Sequence, residues 1–128
     1  MKTFLTELNV TPSSDGRHWT LLTPLSWCTD LSSYGDIITV PAGFVSDLAS
    51  VPRFLWDLYP PEGKWDWAAV IHDYLYQLGG IIPGSTKVYS KLEADQIFRD
   101  GMLRQGVGPV TRNIMYLAVR KFGKGNFK

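Results

Sequence analysis

An α+β fold, with a small N-terminal antiparallel β-meander packed against three to four C-terminal helices, is what this sequence predicts. Two observations carry that expectation. The hydrophobic pattern changes from short β-rich runs to helical periodicity near residue 50, and the turn formers that break up the first part give way to helix caps in the second. At 128 residues the chain fits one domain with one hydrophobic core, residues 1–45 mainly β and residues 50–123 mainly α.

The β half reads as TFLTELNV, HWTLLTPLSWCT and IITVPAGF, runs rich in Thr, Val, Ile, Leu and aromatics that are separated by PSSDGR and DLSSYGD. Pro24 interrupts the second run, so that strand is an edge or ends there. In the α half, Ser50 is an N-cap candidate and Pro52 sits near the first turn of a short helix through RFLWDLY, which PPEG terminates. A second helix, KWDWAAVIHDYLYQL, stops at Gly79 and Gly80 with Trp67, Val70, Ile71 and Tyr74 as its core stripe. Ser90 and Glu93 form a capping box for KLEADQIFRDGMLRQ, which Gly106 ends. Pro109 opens VTRNIMYLAVRKF and Gly123 closes it. The connection GGIIPGSTKVYS is the longest loop.

Composition narrows the function classes. A single cysteine, Cys28, excludes an internal disulfide framework and fits a reducing compartment. The amino-terminal stretch has no apolar run of signal-peptide length and no window approaches a membrane span, so a soluble product is expected. With a net charge of +1 the chain as a whole makes no electrostatic case for nucleic acid. Residues 104–128 nonetheless carry six cations and no acid, and Arg112, Arg120, Lys121 and Lys124 define a candidate basic surface. A solvated helix face, with cations favoured near a helix C-terminus, accounts for the same residues.

Four stretches, GFVSDLASVPRFLW, AAVIHDYLYQ, EADQIF and MYLAVRKFG, resemble an uncharacterised protein family that recurs in tailed-phage and prophage genomes. The shared pattern is F-x-[ST]-D-x-A-S-V-P, then H-D-x-L-Y, then a later Asp, and the resemblance spans residues 38–123. It implies a phage or prophage setting, with the product in the host cytoplasm or associated with the virion and with other phage or host proteins as partners. Asp47, Ser50, Pro52, His72, Asp73, Tyr76 and Asp95 are its matching positions.

The residues themselves define a candidate site. On a helix His72 and Tyr76 share a face while Asp73 lies on the far flank, and Ala68 and Ala69 leave room above for another segment. If the SDLASVP turn packs there, Asp47 reaches His72 and the helix carrying Asp95 supplies a further carboxylate. One imidazole with two or three carboxylates suits a divalent ion, Zn, Mn, Mg or Fe according to geometry. The His72-Asp73 dipeptide also resembles the metal-dependent phosphohydrolases of the HD type, although these need an additional upstream His and His18 falls in the predicted sheet. The plainer reading is a polar network, with His72 satisfied by a carboxylate and a carbonyl, Asp73 bound to turn amides, and Asp95 paired with Arg99. A Ser-His-Asp triad through Ser46 or Ser50 lacks its nucleophile elbow, and Cys28 lacks the signatures of a catalytic thiol. Two functions therefore stand: a non-enzymatic phage accessory or virion-associated protein locked by this network, favoured by the incomplete ligand set, and a small metal-dependent hydrolase using Asp47, His72, Asp73 and Asp95.

Overall fold

In the computed structural model the described residues are 3–4, 10–12, 18–28, 37–46, 55, 65–83 and 87–127. Among these residues six short strands come first: β1 (Thr3–Phe4), β2 (Val10–Pro12), β3 (Trp19–Leu21), β4 (Leu25–Cys28), β5 (Ile37–Val40) and β6 (Val45–Ser46). Three helices follow, α1 (Asp66–Leu78), α2 (Lys91–Gln105) and α3 (Pro109–Phe122). This is the expected α+β order. Leu55, helical and buried, is the described residue of RFLWDLY, and the remainder of that expected short helix lies outside the described residues.

The strands pair antiparallel throughout, but they divide into two three-stranded sheets, β1-β4-β5 and β2-β3-β6. The run HWTLLTPLSWCT is two strands, because Pro24 lacks the N–H that would continue β3, and β4 starts only after it. Between β4 and β5 the register sets Leu25 opposite Val40 and Trp27 opposite Ile38, so that all four side chains enter the core. The alternate pair, Ser26 and Thr39, faces outward and joins hydroxyls at 2.9 Å.

Helix α1 is the centre of the molecule. Every residue from Ala68 to Tyr76 is buried, as expected of a helix enclosed on all sides and not of one resting on a surface. It packs against α2 and touches β5 and β6, while α3 packs against α2. The core begins two residues before the expected stripe of Trp67, Val70, Ile71 and Tyr74. Trp65, which lies outside that stripe, is fully buried with its ring 6.4 Å from Phe98, whereas Trp67 is half-buried. Enclosure by α2 claims the residue preceding the helix, which a one-sided amphipathic pattern assigns outward.

The helix ends obey local chemistry with one exception. Ser90 and Glu93 close the capping box of α2 reciprocally, and Pro109 occupies the first turn of α3. Gly79 and Gly80 stop α1 with φ of +63° and +81°, and a Cβ on Gly80 would collide with the Tyr89 carbonyl, so glycine is required there. The exception is the start of α1, where the Trp65 side chain makes no cap and Asp66 accepts from the Trp67 amide at 3.0 Å. Gln105, the last residue of α2, accepts from the Ala68 amide and donates to Asp66, both at 2.9 Å.

Candidate functional site

Three helices converge on Asp95, whose side chain is fully buried. Residues 72 and 76 are one turn apart on α1, which turns both rings toward α2. His72 Nε2 lies 2.6 Å from Oδ1 of Asp95, and the Tyr76 hydroxyl donates to the same oxygen at 2.5 Å. The other oxygen, Oδ2, accepts from Lys91 Nζ at 3.1 Å and from Arg120 Nη1 at 2.7 Å. A carboxylate offers about four acceptor positions on its two oxygens. Here four donors fill them.

The electrostatics follow from this arrangement. Burial pushes the Asp95 carboxyl upward, but the hydrogen bonds from His72, Tyr76 and Arg120 outweigh it and hold the group down at about 2. For His72, burial is the largest influence and lowers its pKa from the ordinary histidine value, against the attraction of Asp95. The ring is therefore neutral at pH 7, and because the ionised carboxylate has no proton to give, Nε2 carries the hydrogen and donates it. Burial and the neighbouring charge of Asp95 both raise the Tyr76 phenol, keeping it protonated as a donor. The His72 ring stacks on Phe98 at 4.7 Å and tilts against Tyr76 at 4.1 Å, which fixes its orientation.

Outer contacts tie the cluster to the rest of the fold. Lys91 also donates to the Val119 and Arg120 carbonyls at 2.9 and 3.2 Å in the last turn of α3, where the Val119 carbonyl accepts from the Gly123 amide as well. Past that end, the Asn126 amide donates to the Tyr76 carbonyl at 2.9 Å, its side chain donates to the Gln77 carbonyl at 2.7 Å, and the Phe127 ring sits edge-on to Tyr76. Lys91 and Arg120 are the solvent-facing members, with side chains 28% and 35% exposed.

Of the residues that the sequence singled out, the structure joins His72, Tyr76 and Asp95. Asp73 belongs to a separate contact, accepting from the buried Ser46 hydroxyl at 2.8 Å and from Gln77 at 3.3 Å, and so fastens α1 to β6. Asp47, Ser50 and Pro52 lie outside the described residues. The expected pairing of Asp95 with Arg99 gives way to Lys91, four residues in the other direction, and Arg99 lies over the Tyr116 ring at 4.4 Å. The face bearing Arg112, Tyr116 and Arg120 is not a free basic surface. Arg120 turns inward to Asp95 and Arg112 donates to the Val107 carbonyl, leaving Lys121 and Lys124 exposed. Lys91 is the member that sequence reasoning missed, and its i, i+4 spacing to Asp95 was the available signal. Among the described residues no group of three or more His, Cys, Asp or Glu side chains is arranged to hold a metal ion.

The fold and this site define an α+β protein whose three long helices are clasped by one buried, fully hydrogen-bonded carboxylate. The family model for a protein of unknown function, DUF1353, matches residues 19–119, and the chain belongs to that family. No curated protein and no solved structure matches the chain. No helix among the described residues is long and apolar enough to cross a membrane.

Proposed function

We propose that this chain is a non-enzymatic accessory or virion-associated protein of a phage or prophage, in which the Asp95 cluster is a structural clasp. The observation that carries this reading is the saturation of Asp95: His72, Tyr76, Lys91 and Arg120 occupy both carboxylate oxygens. A carboxylate so bound has no acceptor position left for a metal or a substrate proton, and it joins α1, α2 and α3 at one point. The phage setting rests on the motif resemblance of Asp47, Ser50, Pro52, His72 and Asp73 to the tailed-phage family, and it implies phage or host proteins as partners.

One observation keeps the small metal-dependent hydrolase as the second reading. The contact of His72 Nε2 with a carboxylate is the kind by which carboxylates orient metal-ligating histidines from outside the ligand shell. In that reading His72 is the ligand, Asp95 orients it, Asp47 is the further ligand, and Zn, Mn, Mg or Fe is the ion.

Elemental analysis of protein purified without a histidine tag, together with melting curves in chelator, Mn²⁺ or Zn²⁺, separates the two. The clasp predicts no stoichiometric metal, no metal-dependent shift, and a His72→Ala variant destabilised equally in every condition. A wild-type melting temperature raised by one ion, with the rise lost in His72→Ala, selects the hydrolase. Mass spectrometry of purified particles then tests the virion: absence from particles whose genome encodes the chain leaves only the accessory role.

A further inference from the structure

The outer face of α3 carries Val110, Ile114 and Leu117, exposed by 71%, 38% and 64%, followed by the exposed Lys121. Their spacing of four, three and four residues is a heptad seam, and at 100° per residue it occupies an arc of roughly 60°. The opposite side of the same helix buries Met115 and Val119 in the core, so the seam is a second apolar face that folding of this domain leaves open to solvent. None of its residues contacts Asp95, so its role does not depend on whether the Asp95 cluster is structural or catalytic.

Three kinds of occupant fit an apolar helix face, and the charge pattern chooses among them. The first 103 residues carry seven Lys or Arg against twelve Asp or Glu, while the last 25 carry six cations and no acid. With Arg120 turned to Asp95 and Arg112 to a carbonyl, the exposed charge beside the seam is Lys121 and Lys124, and the same helix of a second copy offers them no carboxylate. A membrane surface asks for an apolar stripe of about 100° or more, wider than this seam. A narrow seam with a cation at its fourth position fits a single amphipathic helix that offers apolar residues to Val110, Ile114 and Leu117 and carboxylates to Lys121 and Lys124. We propose that α3 is a docking face for one acidic amphipathic helix of a partner protein.

The probe is a synthetic peptide of about three heptads with Leu at the seam positions and Glu at the flanking ones, since Glu–Glu repulsion keeps it from pairing with itself. Its counterpart has Lys in place of Glu. Binding to the whole chain is read by fluorescence anisotropy, with flotation on phosphatidylcholine vesicles containing phosphatidylserine and light scattering of the chain alone run alongside. Saturable binding of the acidic peptide is expected, weaker by about tenfold or more in Leu117→Asp and weakened by salt, with the lysine peptide excluded. Lys121→Glu should shift the preference toward the lysine peptide. Both substitutions fall on exposed side chains, and unchanged melting curves verify that the variants are folded. The proposal is overturned by equal binding of the two peptides, by no binding of the acidic one, or by binding indifferent to Leu117→Asp. Vesicle binding or self-association abolished by Leu117→Asp, without peptide binding, would overturn it in favour of the other occupants.

Discussion

Asp95 and the residues around it show how a charge is kept inside a small core. Replacing Asp95 with Asn preserves the shape of the group but removes the charge that four donors share, and turns an amide N–H₂ toward two of them. Breaking a buried ion pair costs about 3–5 kcal/mol, and the low end, about 3 kcal/mol, applies here because Lys91 and Arg120 reach solvent and recover water. Urea denaturation at pH 7 checks the value; a loss below about 1 kcal/mol would mean that the clasp contributes little. Tyr76→Phe is the finer test. It keeps the ring contacts with His72 and Phe127 and removes one hydrogen bond to a carboxylate, for an expected cost of about 1.5–3 kcal/mol.

At the scale of elements, helix ends separate local from tertiary control. Ser90→Ala opens the capping box of α2 and should cost about 1 kcal/mol, with faster amide exchange confined to the first turn as the readout. Gly80→Ala should cost more than about 2 kcal/mol, because its left-handed φ penalises a side chain and its Cβ would press on the Tyr89 backbone. A loss comparable to that of Ser90→Ala would show that the 79–90 connection gives way. Both positions were legible in the sequence, since Ser-x-x-Glu and Gly-Gly state their backbone requirements within four residues. The cap of α1 was not: its partner, Gln105, is contributed from another helix thirty-seven positions away.

For the whole molecule, the coupled groups predict a stability that falls with acid in two windows. The unfolded chain protonates His72 near 6.5, while the folded chain does so only at lower pH, so each step below 6.5 favours unfolding. Asp95 follows: its stabilisation, about 2 kcal/mol from the depression below 3.8, is present above that value and lost as pH falls through about 2. Denaturation midpoints should therefore be level from about pH 7 to 9, short of the ordinary tyrosine value of 10.0, and decline from about 6.5 downward, and a His72→Gln variant should lack that first decline. A wild-type midpoint unchanged between pH 7.5 and 5 would refute a neutral buried His72.

The sequence by itself determined the class of fold, the three long helices with most of their caps, and the shared face of His72 and Tyr76, because periodicity, capping residues and turn formers act over a few positions. Only tertiary structure decided the division into two sheets, the burial of Trp65, the choice of Lys91 over Arg99, and the inward turn of Arg120 from an apparently basic surface. Local sequence offered Asp95 two cations at helical spacing; the end of α3 favours Lys91, whose ammonium also donates to the Val119 and Arg120 carbonyls there. A charge's partner is set by what else must be satisfied where the elements meet, and that demand exists only once they are packed.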